Sequence, residues 1–250
     1  MIVVEKNDYY LLFKQHDHGE VSGQIAKRVK EKWFKGKEVR KDVEFAIQHH
    51  DYAWIDLDNQ VKWNEEKNRP YSFIDYPLQD KLFAYSKGIN TVQQHSYYAA
   101  LLCSMHYASF FREPMTDSKI KSFISQEMKR QEMLREKIQP NEAFDFHFRL
   151  LQFCDDLSLY ICLNDPGIKK DDEFPWFKEG FSQSFSFAKE GMCAEWQDEE
   201  SIGIEPFPFE DYVEISLPFY KLGKDGVHDI ILNDLPHDQR NVKIYPMEKS

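Results

Sequence analysis

The chain has 250 residues, 42% hydrophobic and 15% aromatic, with 43 acidic against 32 basic side chains and a formal charge of −11. That length and apolar content support one large domain, or one domain with a small appendage. The acidic balance repels phosphate backbones and argues against a nucleic-acid polymer as partner.

Asn7-Asp8, a turn-favouring pair, lies between β-branched and aromatic runs, so residues 2–15 read as a hairpin. This N-terminus shows no basic region followed by a long apolar stretch, and no run in the chain approaches bilayer-spanning length. A cytoplasmic protein with no membrane partner is therefore expected. Helical spacing follows at 16–33 (His18, Ser22, Ile25, Val29, Trp33) and at 38–50 (Val39, Val43, Ala46, Ile47, His50). Residues 54–92, rich in Asp, Asn, Pro and Tyr, read as a long loop region with one short helix near "LQDKLFAYSKG". Three more helices are expected: a buried one at 92–111, a charged amphipathic one at 117–138 and a core helix at 141–163. Beyond Asn164 the composition shifts to loop, and "SIGIEPFPF", "DYVEISLPFYKL", "VHDIIL" and "NVKIYP" carry β character. A small antiparallel sheet is expected there, pairing with the N-terminal hairpin. The expected fold is mainly α with a small β part (α+β): one domain over 1–250, a helical core at about 16–165, and a β appendage at about 1–15 plus 200–250.

The four cysteines, Cys103, Cys154, Cys162 and Cys193, form no CxxC pair, and the first two and Cys162 fall in apolar helical runs. Neither a disulfide framework nor a zinc ribbon follows. The chemistry lies elsewhere. His50 extends the apolar face of its helix by one turn, His18 opens the stripe of its own, and His106 follows Leu102 by one turn. Asp155 lies between Leu151 and Ser158 on a face continued by Leu159 and Cys162. Four helices thus each aim a titratable group inward. Burying such groups unpaired costs several kcal/mol each, and a divalent cation held by imidazoles and carboxylates removes that cost. Adjacent residues on a helix point about 100° apart, so His50 and Asp51 reach one ion best at a helix end. The bland alternative for "HHD" is a solvated helix terminus.

The order His18, His50-Asp51, Asp155 resembles the H…HD…D signature of the HD-domain superfamily, all-helical metal-dependent phosphohydrolases that include nucleotide hydrolases. The stretches "QHDH…SG", "RPYSF", "YAALLCSMH", "LLQFCDDLSL" and "EPFPF" are similar to blocks of an uncharacterised bacterial family related to it. The resemblance implies an HD-like helical bundle in which His18, His50, Asp51 and Asp155 ligate a divalent metal ion (Mn, Zn, Ni, Mg or Fe). The chain departs from the pattern after the dyad, where Tyr52-Ala53-Trp54 replaces the small residues common there.

The function expected is a metal-dependent hydrolase of a small anionic, phosphorylated or nucleotide-like molecule, with Asp51 and His106 catalytic. The alternatives are an HD-type di-iron oxygenase and a non-catalytic metal- or nucleotide-binding sensor. His106 and His16 are candidates for a second ion or for outer positions around the first. His95 and His106, eleven residues apart on the expected helix, would share a face about 16 Å apart along the axis, too far for one ion. His95 is thus a candidate for the substrate groove, and Arg69 in "NRPYSF" for an anion clamp, against a plain loop ion pair. Charge and apolar content permit a homo-oligomer as readily as a monomer.

Overall fold

Residues 1–111, 114–224 and 230–247 are described by the structure, a computed structural model. The turn at Asn7-Asp8 forms as the sequence requires and joins β1 (Ile2–Glu5) to β2 (Tyr9–Phe13) in antiparallel register. The chain passes directly into α1 (Gln15–Lys27), whose first backbone N–H, on Gln15, donates to buried Asp58 Oδ2 at 2.6 Å. The helical spacing to residue 33 is not realised. The chain leaves the helix at Arg28 because tertiary pairing takes over: Val29 bridges Phe209, and the Lys30 N–H donates to the Pro208 carbonyl.

A turn leads to α2 (Arg40–His49), which packs against α1. Two glycines set their closeness. A Cβ on Gly23 would stand 2.5 Å from Gln48 Cβ, and one on Gly19 would stand 3.1 Å from the Gln48 carbonyl oxygen. The segment 54–77 holds three two-residue strands, β3 (Gln60–Val61), β4 (Trp63–Asn64) and β5 (Arg69–Pro70).

The largest departure from expectation follows. Instead of a short helix in a long loop, α3 runs from Leu78 to His95, and the helix expected at 92–111 is broken at Ser96. Ser96 adopts an extended backbone and its Oγ accepts from the Ala99 N–H, so it caps a new helix, α4 (Tyr97–Ser109). His95 and His106 therefore stand on different helices, and their expected common face does not exist. The remaining helices are α5 (Ser118–Ile138) and α6 (Phe144–Leu163), close to the expected bounds. α4 and α6 are buried on most sides, which explains their nearly uninterrupted apolar sequences. α5 is largely exposed and packs on α4 through a narrow stripe including Phe123 and Leu134.

The tail supplies β6 (Cys193–Trp196), β7 (Ser201–Glu205), β8 (Val213–Gly223), β9 (Ile230–Ile231) and β10 (His237–Pro246). The start of the expected "VHDIIL" strand, at 227–229, lies outside the described residues. Six strands form one sheet in the order β1-β2-β8-β10-β7-β6. The N-terminal hairpin joins it through β2 and β8, as expected, but the sheet is mixed rather than antiparallel because β10 runs parallel to β7. Alternation along β8 buries Val213, Ile215 and Leu217 and leaves Glu214 and Ser216 outside, and the buried face lies against α1. From β10, Arg240 reaches the end of α6, where its guanidinium donates to the carbonyls of Ile161, Cys162 (3.4 Å) and Asn164 (2.9 Å). A buried cation there satisfies orphan carbonyls and complements the negative end of the helix dipole. The fold is α+β: six α-helices and a curled mixed sheet among the described residues.

Candidate metal centre

Four helices meet at one buried point. His18 comes from the first turn of α1, His50 and Asp51 from the end of α2, His106 from α4, and Asp155 from the middle of α6. His18 and His50 are fully buried, and Asp51, His106 and Asp155 are no more than 8% exposed. His18 Nε2 lies 2.8 Å from Asp51 Oδ2 and 3.6 Å from Asp155 Oδ1. His50 Nε2 lies 3.3 Å from Asp155 Oδ1 and 3.8 Å from Asp51 Oδ2, and His106 Nε2 is 3.5 Å from Asp155 Oδ2. Three imidazole nitrogens thus surround two carboxylates. The rings of His18 and His106 each stand edge-on to His50, with centroids 5.1 Å away.

α2 ends just where the dyad needs it to. His50 is the last residue with helical dihedrals, and Asp51 begins a short 3-10 turn through Trp54. The break lets both side chains face one point, which consecutive residues inside a helix could not do. The turn is held by α3: a Cβ on Gly88 would lie 2.7 Å from Ala53 N and 2.8 Å from its Cα. Only a glycine lets the helix and that backbone come so close.

The far sides of the rings are tied down by hydrogen bonds. His50 Nδ1–H donates to the Ile47 carbonyl at 2.7 Å, which turns Nε2 to the centre. His18 Nδ1 lies 2.5 Å from Ser158 Oγ. That hydroxyl also donates to the Asp155 carbonyl, one turn back on α6, so it can accept the His18 Nδ1–H in the tautomer that presents Nε2 to an ion. Ser22 Oγ completes the network, 2.8 Å from Ser158 Oγ and 3.0 Å from the His18 carbonyl. The buried His106 Nδ1 has no partner.

Two overlapping ligand sets result: His18, His50 and Asp51, and His50, His106 and Asp155, the candidate ligand atoms within each set lying within 4.8 Å of one another. Ligands about 2.0–2.2 Å from one ion stand at most about 4.4 Å apart, so either set closes on an ion with shifts of a few tenths of an ångström. The donor chemistry, imidazole nitrogen with carboxylate oxygen, suits a divalent transition metal.

Electrostatics binds the cluster in the protein alone. Burial by itself would raise both carboxyls, yet His50 and its neighbouring imidazoles outweigh it and hold Asp51 and Asp155 below the usual carboxylate range. Burial would likewise lower His50, but Asp51 and Asp155 overcome it and raise the imidazole to about 9. His106 goes the other way: burial dominates and takes it down to about 4, so it stands neutral. Asp156 is pushed up to about 7 by burial and by the charge of Asp155, and accepts from Gln183 Nε2 at 2.8 Å.

The centre opens into a cleft of about 550 Å³ that Asp51, His106 and Asp155 floor, together with Asp156. The other sequence-derived candidates fall outside it. His16 lies on the outer side of α1, near Glu20 (3.7 Å) and edge-on to Tyr52, in neither ligand set. His95 is exposed at the end of α3, beside Phe45, because the break at Ser96 turns it away from α4. Arg69 is held by Asp75 Oδ2 (2.6 Å) and by the Pro70 carbonyl (2.9 Å), the loop ion pair weighed against the clamp. His49 turns its Nδ1 onto the Phe45 carbonyl. The aromatics of "EFPWFKEGF" divide: Phe177 and Phe181 pack on Tyr160 in the core, while Trp176 reaches the cleft.

Sequence reasoning missed Lys81 and Gln15, which line the cleft, and the role of Ser158. Ser158 and Ser22 were visible as polar interruptions of two apolar stripes, a usable signal. Lys81 and Gln15 carried none, since a lysine and a glutamine in the first turn of a helix look like ordinary surface residues.

Among the described residues no helix is long and apolar enough to cross a membrane, and all four cysteines are free thiols. No curated protein and no solved structure matches the chain. A family model described as "Protein of unknown function (DUF3891)" matches residues 1–224, nearly the whole length, and the chain belongs to that family.

Proposed function

We propose that the protein is an HD-like metal-dependent hydrolase acting on a small phosphorylated or otherwise anionic molecule. The observation that carries this is the convergence of His18, His50, Asp51, His106 and Asp155 from four helices on a buried point that floors a cleft. The order His18, His50-Asp51, Asp155 resembles the HD signature, which supports the same reading. A divalent ion held there would supply a water of lowered pKa and would polarise a phosphoryl oxygen. His106, which lines the cleft, would relay a proton to the leaving oxygen. Asp51 and His18, with Oδ2 and Nε2 2.8 Å apart, would hold the ion.

Metal content of the untagged protein tests this directly. One or two equivalents are expected, reduced to background in His50→Ala and Asp51→Ala, with hydrolysis of generic phosphomonoesters lost in the same variants. Unchanged metal content in both variants would sink the proposal.

A second reading keeps the same residues but has them hold two irons and makes the protein an oxygenase. What favours it is that Asp155 turns Oδ1 toward His18 and His50 and Oδ2 toward His106, as a carboxylate bridging two ions would. Two iron equivalents with an oxo-bridge absorption band would select it over the hydrolase.

A further inference from the structure

The cleft has a polar floor and an apolar mouth. Ile74, Phe110 and Trp176 line it and are 56%, 49% and 52% exposed, among the more exposed large apolar side chains of the molecule. Grouped around one opening, they present a surface that a flat apolar group would cover favourably.

Lys81 is the one lysine or arginine among the described residues lining the cleft. Its ammonium donates to the carbonyls of Phe73 (3.1 Å) and Ile74 (3.4 Å) and meets no carboxylate within ion-pair distance among the described residues. An ammonium has three donors, so one remains for a ligand. Gln15 lines the same cleft at 4% exposure, and its Oε1 has no hydrogen-bond partner. Its backbone N–H is fixed by Asp58, so the side chain is held at the cleft rather than trailing into solvent. A buried amide oxygen and a half-buried ammonium, both with capacity unused, form a prepared polar subsite.

Charge defines what fits. Three carboxyl groups, Asp51, Asp155 and Asp156, crowd the floor, and Lys81 above them and His50 beneath offset only part of their charge, so the bare cleft offers an anion little attraction. A divalent ion on the floor reverses the local field and makes anion entry favourable. A volume of about 550 Å³ is that of a small-molecule site.

We infer that Lys81 and Gln15 form the substrate subsite of the metal centre, and that its ligand is a small phosphomonoester-type anion carrying a flat apolar body. Lys81 takes a peripheral oxygen of the anion, Gln15 accepts from its protonated oxygen or a bridging water, and Trp176 and Phe110 clasp the body. The inference rests on the metal-dependent reading above.

The test is calorimetric titration of the metal-loaded full chain with 1-naphthylmethylphosphonate, whose P–C bond resists hydrolysis, against methylphosphonate and 1-naphthalenemethanol. The naphthyl phosphonate should bind at least about tenfold more tightly than either fragment. Lys81→Met should weaken it by about tenfold or more, the scale of one charge-assisted hydrogen bond, and Lys81→Arg should recover most of that. Trp176→Ala should weaken the naphthyl ligand while leaving methylphosphonate unchanged. Metal content and circular dichroism of each variant separate a lost subsite from a lost fold. Wild-type affinity in metal-replete Lys81→Met, or a naphthyl ligand no tighter than methylphosphonate, would overturn this inference and leave the metal centre standing. A wild-type chain that takes up no metal would overturn both.

Discussion

Replacing Ser158 with alanine removes one oxygen from the interior and should cripple the centre without touching a ligand. That oxygen lies 2.5 Å from His18 Nδ1 and donates to the Asp155 carbonyl at 2.9 Å, so with a metal on Nε2 it takes the Nδ1–H and orients a ligand on α1 from the helix that bears another. Alanine leaves a fully buried imidazole N–H with no acceptor, at about 1–3 kcal/mol for the unsatisfied group. The tautomer carrying its proton on Nε2 then becomes favoured, since Asp51 Oδ2 lies 2.8 Å from that nitrogen and accepts it well. Metal binding must reverse that choice, and outer partners of ligating histidines are typically worth about tenfold to a hundredfold in metal affinity. Competition for the ion against a calibrated chelator measures the affinity, and thermal unfolding monitored by circular dichroism measures the stability. Ser22→Ala is the control: Ser22 joins the same network but does not touch the His18 ring, so stability should fall while metal affinity changes little. A Ser158→Ala protein that holds metal within about twofold of wild type would refute the assignment of the His18 tautomer and, with it, the orientation argument.

Three further outcomes are expected. Stripping the metal with a chelator should lower the unfolding temperature by about 5–10 °C, since ligand at a hundredfold excess over its Kd contributes about 2.7 kcal/mol to the native state alone; scanning calorimetry with and without the chelator decides it, and Asp51→Asn should show no such shift. Gly88→Ala should destabilise by about 1–2 kcal/mol, because overpacking against the Ala53 backbone exceeds the gain of about 1 kcal/mol in helix propensity. Since Ala53 lies two residues beyond Asp51, metal affinity should fall in the same variant, and a paired denaturation and metal titration checks both. Arg240→Met should cost about 2–3 kcal/mol by leaving the carbonyls at the end of α6 unmet, yet leave metal content at the wild-type level, read by urea unfolding and elemental analysis.

What was legible in the sequence follows from how locally each feature is determined. The hairpin, α5 and α6 were readable because a turn pair or a sustained periodicity specifies them without help from the rest of the chain. The four buried titratable groups were readable for a related reason: each interrupts an apolar stripe, and the interruption itself is the signal. The errors cluster where a single side chain or a distant segment decides. Ser96 looks like one more polar residue in a long apolar run, but its hydroxyl caps Ala99 and divides that run into two helices. The break moved His95 out of reach of the cleft and freed α4 to carry His106 to the centre, so one unrecognised cap changed the meaning of two histidines. α1 stops at Lys27 because Val29 and Lys30 pair with 208–209, nearly two hundred residues on, which no local pattern announces.

The same distinction separates the metal centre from its substrate subsite. Ligands of an ion must be buried, so they disturb hydrophobic patterns and betray themselves. Groups that hold a substrate sit at a boundary, where a lysine or a glutamine disturbs nothing. Lys81 sits in the first turn of an amphipathic helix, and Gln15 is the first residue of another; either would pass as an ordinary surface residue. Their significance comes from unused hydrogen-bonding capacity beside three carboxylates and two orphaned ring and amide atoms, a property of the assembled cleft. Arg69, weighed as an anion clamp against a loop ion pair, is already committed to Asp75, whereas the less conspicuous Lys81 still has a donor to offer. In a site of this kind the identity of the ion is constrained by residues that the sequence displays, and the identity of the substrate by residues that only the fold brings together.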